Sequence, residues 1–520
     1  MPPPAGSTPA TRLCCSTPTS CLLPCREKLS TGWFNDLLKD LLLAEPVQVI
    51  QTPALPRKDE EDAAPARNDG KLALNHPLTV ADLGDGDRSA AGTVEPLAGA
   101  ELLHHPSKGS LYLNFYYDLG ECTPEEVQYL DLLTDILDEL DTPEHTAREL
   151  QTQRATWLGN SMACISFWTG RQEGSPCHAK LTWNMSLLER NLDKAIALGS
   201  EYLYKTCLTG PKAEEAFARV LSQQKLSMEQ QFIQQGNQYA AVRAAAHYSV
   251  EYALSERCSG VTGYHFLCNL LERADWAAMG KKLEAVRKSA EPCSPDRQPA
   301  WQRGSAGKAA CPAAGSAFAA QGRTAAKPYT EVLTAPVNEA FIIDGGVNYD
   351  ILTWPMERQA DRRVLARIMS YEYLWHNIRE VGGAYGTGML TRAQTEGLYT
   401  YRDPHLTESY ETFAKAPGVL AGREYTEKDL TEFIVGAVSE MDSPKKPNAE
   451  AKELDRRYFC GITDAMLAAD RKAMCSVTAE TIRAQAADLA DRMANATRVT
   501  FGSKDAVEAG KQLFDRIETL

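Results

Sequence analysis

Apolar and polar positions sort the chain into two stretches built alike. In Ser110 to Leu119, SLYLNFYYDL, apolar and aromatic residues recur with period two, the signature of a sheet strand. Thr123-Pro-Glu-Glu126 follows at once: a threonine fit to cap a helix, a proline at the first helical position and a glutamate three residues after the cap. Val127, Leu130, Leu133, Ile136, Leu137 and Leu140 then recur at three and four, so the pattern predicts a helix with one buried face. Strands are predicted near Met162 to Thr169 and His178 to Met185. A helix is predicted from Leu187, where Ser186 and Glu189 repeat the capping box, and another from Lys212, with Pro211 at its start.

Past Tyr329 the plan repeats. A strand is predicted at Glu339 to Asp344, a helix from about Ala360 to Arg379, a strand pair near Thr387 to Tyr401, helices near 407–415, 426–440 and 478–494, and a last strand at Thr497 to Phe501. The fold class expected is α+β, with two similar domains, each a mostly antiparallel sheet with helices packed on one face. The boundaries read as a disordered segment over 1–30, a helix and strand remnant with a polar linker over 31–77, a first α+β domain over 78–285, an Ala/Gly/Pro-rich linker over 286–328, and a second α+β domain over 329–520. A length of 520 residues suits roughly two to four domains of about 100 to 200 residues each.

Composition narrows the function classes. With 69 acidic against 55 basic residues the formal charge is -14, the wrong sign for a nucleic-acid partner, and no basic patch stands out. No apolar run reaches the roughly 18 to 20 residues of a bilayer span, so no membrane partner is expected and the compartment reads as cytoplasmic, with an organelle matrix as the alternative. Fourteen cysteines are scattered; the cluster Cys14, Cys15, Cys21 and Cys25 lacks the paired spacing of a zinc knuckle, and the rest read as buried thiols.

The chemistry is sparse. The sequence contains neither HExxH nor HxxEH; the nearest approach, His405-Leu-Thr-Glu408-Ser409, has a serine where the second imidazole of an inverted zinc motif would stand. His247 with Glu251 and His376 with Glu380 are i,i+4 pairs that read as surface hydrogen bonds. No GxSxG elbow is present, and no cysteine has a nucleophile's setting. Gly304 to Lys308 is no phosphate-binding loop, since Gln302 and Ala309 replace its first glycine and its magnesium-holding hydroxyl. One stretch stands apart. Arg379-Glu-Val-Gly-Gly-Ala-Tyr385-Gly-Thr-Gly closes the predicted helix whose face is Leu365, Ile368, Met369, Glu372, Trp375 and Ile378. A helix C-cap explains Gly382 and an arginine at the negative helix end. It does not explain Gly383, Tyr385, Gly386 and Gly388, which suggest a sheet edge bare enough for another backbone to approach.

These residues also carry a resemblance. NIREVGGAYGTGM, followed by GLYTYRDPHLTESYETF at 397–413, is similar to the carboxyl half of the pitrilysin/insulysin family of inverted-motif zinc peptidases, in its presequence-protease branch. LLHHPSKGSLYLNFYYDL at 102–119, FIIDGGVNYD at 341–350 and GITDAMLAADRKAM at 461–474 match in the same order. The resemblance implies a half-clamshell that closes on an unfolded peptide. Arg379 and Tyr385 would be catalytic, donating to the scissile carbonyl oxygen as negative charge develops there, and Gly382, Gly383 and Gly386 would bind substrate. It implies no metal on this chain: the zinc is expected on a missing amino-terminal half bearing HxxEH, so the chain alone is expected to be inactive. A non-catalytic scaffold or partner subunit is the alternative reading.

Overall fold

The structure is a computed structural model; it describes residues 78–84, 93–97, 100–104, 111–172, 174–290, 315–319, 329–392 and 394–520. Contacts separate Met1–Pro77 from a compact unit, Leu78–Leu520, that holds all of these. The segments read as disordered (1–30) and as a remnant helix (31–77) lie outside the described residues.

The first sheet contains β1 (Thr93–Leu97), β2 (Ala100–His104), β3 (Leu111–Asp118), β4 (Asn160–Thr169), β5 (Cys177–Leu187) and β6 (Gly315–Ala319), in the spatial order β1-β2-β6-β3-β5-β4. Alternation along β3 turns Leu111, Leu113, Phe115 and Tyr117 into one core. That core is roofed by α1 (Pro124–Ile136), α2 (Ala147–Trp157), α3 (Leu192–Tyr204), α4 (Pro211–Ala245), α5 (Val250–Ser259), α6 (Val261–Arg273) and α7 (Trp276–Ala290). Thr123 caps α1 as expected: its hydroxyl accepts from the Glu126 N–H, and the Glu126 carboxylate accepts from the Thr123 N–H. The second predicted box does not form. Ser186 is paired with Tyr112 and with Asn160 inside β5, and the ladder on both sides outweighs a local cap, so α3 begins only at Leu192.

The second sheet contains β7 (Glu339–Ile342), β8 (Tyr349–Pro355), β9 (Gly386–Thr391), β10 (Thr395–Tyr401), β11 (Thr497–Gly502) and β12 (Arg516–Thr519), in the order β12-β7-β11-β8-β10-β9. β12 follows the strand expected to be last and pairs parallel with β7. On the far face, Leu352, Trp354 and Leu398 pack under α8 (Arg362–Ile368, continued without a break by a π-helical stretch, Met369–Val381), α9 (Leu406–Gly422), α10 (Glu427–Asp442) and α13 (Ala479–Met493). Two further helices, α11 (Pro447–Phe459) and α12 (Asp464–Cys475), lie between α10 and α13 in the chain.

Five strands repeat in the same spatial order: β2-β6-β3-β5-β4 corresponds to β7-β11-β8-β10-β9. The strand direction differs at one place, because β6 runs parallel to β3 whereas β11 runs antiparallel to β8. β6 also corrects the linker reading of 286–328 at Gly315–Ala319, and α7 runs on to Ala290. A stretch of Gly, Ser and Ala has no alternation to display; its partners β2 and β3 supply the pairing.

The two sheets are locked together from both sides. α4 lies on the near face of the second sheet, where Gly236 comes so close to Tyr349 that an added Cβ would sit 2.4 Å from its ring, and the Tyr349 hydroxyl donates to the Ile233 carbonyl. Arg243 at the end of α4 grips Glu339 of β7 with Nε and Nη2 at 2.6 and 2.9 Å. In return α11 reaches the outer face of the first sheet: buried Asp455 accepts from Asn114 and the Tyr116 hydroxyl of β3, and Phe459 stacks on Trp168. Among the described residues no helix is long and apolar enough to cross a membrane.

Candidate functional site

The helix that ends at Arg379 is not the helix its sequence suggests. Through Ile368 the turns are α-helical; from Met369 to Val381 they widen to π turns. The buried positions follow the wider turn: Met369, then Tyr373 with Leu374, then Ile378. An α-helical pitch puts Glu372 and Trp375 on the buried face; the π pitch leaves Glu372 exposed and turns Trp375 to the half-buried flank. There it meets Arg379, whose guanidinium lies 3.9 Å from the centre of its ring.

The cap is widened in the same way. Gly382 N–H donates to the Asn377 carbonyl, Gly383 N–H to that of Arg379 and Ala384 N–H to that of Ile378. Gly383 has φ +80, the left-handed conformation of a helix terminus, and at Gly382 a Cβ would stand 2.6 Å from the Ile378 carbonyl oxygen. These two glycines turn the chain sharply into β9, the edge of its sheet, where Gly386 pairs with Tyr401. Toward the far end of that edge Ser370 reaches over from the helix and accepts the Met389 N–H.

Tyr385 sits in the turn and is 68% exposed. Its ring centre is 5.7 Å from the Arg379 guanidinium, and its N–H donates to the Tyr401 carbonyl. The ring rests edge-on against Tyr401 at 5.7 Å. The second half of the motif, Tyr401-Arg-Asp403-Pro, explains why Tyr401 holds still. Asp403 is fully buried; its carboxylate accepts from the His405 N–H and the Ser409 hydroxyl, and its backbone pairs with Asn348 in both directions. Burial pushes that carboxyl above its ordinary range, and the two donors hold it back down in part. The buried aspartate therefore fixes the corner on which Tyr401, and so Tyr385, leans.

Arg379 and Tyr385 are thus brought together, each with its polar end unengaged: neither the guanidinium nor the phenol hydroxyl has a hydrogen-bond partner among the described residues. Trp375 is the site residue that periodicity conceals; the only sequence signal for it is its place four residues before Arg379 on one helix. The histidine pairs behave differently from each other. His376 bonds Glu380 at 2.9 Å, but His247 lies between α4 and α5 and turns to Thr334, while Glu251 accepts from the Thr169 N–H. Among the described cysteines, Cys207 is exposed rather than buried.

Comparison with known proteins places these features. Residues 78–270 match the family described as peptidase-associated, of metallopeptidase family 16, subfamily C, and residues 338–502 match the "PreP C-terminal domain". The chain belongs to the pitrilysin/insulysin peptidase family, as the carboxyl-terminal half of its presequence-protease branch. Family members similar to it include the mitochondrial presequence protease of Mus musculus, 23% identical over 81% of this chain and 43% of that protein. The chloroplastic/mitochondrial presequence protease 1 of Arabidopsis thaliana is 24% identical over 79% and 40%, and Protein HypA of Clostridium perfringens 21% over 81% and 44%. The chain thus spans less than half the length of these relatives. Arg379, Tyr385, Gly382, Gly383 and Gly386 all fall inside the second matched region, and Trp375 does too.

Proposed function

We propose that this chain supplies one half of the chamber of a presequence-protease-like zinc metalloendopeptidase that degrades unfolded peptides, and that it works with a half bearing HxxEH. The observation that supports this most is the pairing of Arg379 with Tyr385: a cation and a phenol side by side at an exposed sheet edge, both with donors to spare. A carbonyl oxygen set between them would accept from both as negative charge gathers on it, which is the work of an oxyanion site. A scaffold has no use for that pair.

The zinc goes with the other half. Among the described residues one group has the spacing to hold a metal, Glu144, His145 and Glu201. It offers a single imidazole, and Lys205 already engages Glu144 at 2.6 Å. That set does not fit the three-ligand site of a peptidase zinc. The compartment that accompanies the reading is the cytoplasm or an organelle matrix.

The test is reconstitution. The purified chain is mixed with a separately expressed half bearing HxxEH, and cleavage of an unstructured fluorogenic peptide is followed. Cleavage by the mixture and by neither half alone is expected. Peptide binding without cleavage in the mixture would favour the scaffold reading instead.

A further inference from the structure

The turn after β4 and the helices α10, α11 and α12 enclose a cleft of about 670 Å3 lined by seven cationic side chains and four carboxylates. Three of those carboxylates are already engaged: Asp442 receives Arg471 Nη1 at 2.7 Å, Glu440 receives Arg367 at 2.5 Å, and Glu453 lies 3.6 Å from Arg456. Arg171 and Arg358 share one oxygen between them. Their Nη atoms reach Asp470 Oδ2 at 2.8 and 3.4 Å, and neither guanidinium has another partner among the described residues.

Each guanidinium carries five N–H donors, so most of this pair's hydrogen-bonding capacity is unused. Both Nε atoms are buried and unpartnered, and the side chain of Arg363, on the same wall, touches no acceptor among the described residues. The crowding costs the cations: Arg358 is pulled down to about 10 by burial and by the fields of Arg171 and Arg363, with Asp470 opposing. Like charges gathered in a half-buried cleft are unfavourable unless an anion joins them. The planar fork of arginine suits phosphate, which it meets bidentately, and the volume is that of a ligand pocket rather than of a single ion.

The geometry points to a binding site, in this cleft, for a small anion carrying several phosphate groups, held by Arg171, Arg358, Arg363 and Arg456. It stands independently of the peptidase reading. Sodium tripolyphosphate titrated calorimetrically into the full chain at fixed ionic strength should bind saturably at one site and raise the melting temperature. Arg358→Gln and Arg171→Gln should each weaken that binding about tenfold or more. Arg363→Gln, which removes no protein contact, should weaken it too while leaving the melting temperature of the free chain unchanged. Absence of saturable binding overturns the assignment, as does equal affinity in all three variants. So does an equal rise in melting temperature from sulfate at matched ionic strength, which would mark a general charge effect.

Discussion

Two junctions in this molecule perform one structural task and are built from similar parts. At the end of α2, and again at the end of the π stretch, a helix turns into the edge strand of its sheet, and near each turn an arginine lies flat on an aromatic ring. Arg154 stands 3.8 Å over Tyr202 and Arg379 3.9 Å over Trp375. Their surroundings then diverge. Arg154 is 7% exposed; it pairs with Asp138 and donates to the Ser161 carbonyl of β4 at 2.7 Å. Arg379 has the ring and nothing else. Stacking alone orients a guanidinium while leaving its in-plane donors open; adding a carboxylate and a carbonyl uses those donors to hold the fold. The first junction is therefore a fastening and the second has the makings of a binding site.

The largest effect that follows is on chemistry. In the reconstituted enzyme, Arg379→Ala should lower turnover by about 10²- to 10³-fold, a barrier increase of roughly 3 to 4 kcal/mol, with peptide affinity little changed. Chemical denaturation of the same variant should match the parent, since no hydrogen bond is lost. If the variant unfolds early, Arg379 is a fastening as well and the contrast fails.

Arg154→Ala should show the reverse. Its loss removes a charge-assisted pair, a bond to β4 and a ring contact, for a destabilisation of about 2 to 3 kcal/mol by denaturant titration. Asp138 is half exposed, so its freed charge returns to water at little further cost. Turnover per folded molecule in the reconstituted enzyme should stay at the parent value. A fall in turnover with unchanged stability would exchange the roles of the two junctions.

How much of this contrast could be read beforehand depends on how local the cause is. β3 and α1 were legible because alternation and a capping box are written within ten or so residues. The pairing of Arg379 with Tyr385 was legible as well, since six residues and two glycines bring them round one turn. The buried face of that helix was not: Glu372 and Trp375 fall on it only at an α-helical pitch, and the widening to π turns is settled by what packs against Tyr373 and Leu374. Nor could Ser186 announce that two neighbouring strands would claim it, or Gly315–Ala319 that they would join a sheet. Each miss is a place where distant pairing outweighs a local preference.

Tyr385→Phe sharpens the comparison by removing one atom. The ring keeps its edge contact with Tyr401 and its place beside Arg379, so stability should not move. If the hydroxyl is a second donor to the developing charge, turnover should fall about tenfold to a hundredfold, in line with the roughly 1.5 to 3 kcal/mol of a hydrogen bond to a charged group. An unchanged rate would leave Arg379 as the sole donor at this edge.

Trp375→Ala is the mildest change and the most direct probe of what stacking does. It leaves every donor of Arg379 in place and removes only the surface on which the guanidinium lies. A cation–π contact at a partly exposed position contributes about 0.5 to 1 kcal/mol, so turnover should drop by roughly three- to fivefold as the arginine samples other rotamers. Trp375→Phe restores a ring and should recover most of the loss, whereas Trp375→Leu, apolar but without a π face, should not. Equal rates for phenylalanine and leucine would mean that bulk alone positions the arginine. The likeness between the two junctions would then lie in packing rather than in the attraction of a cation to a ring.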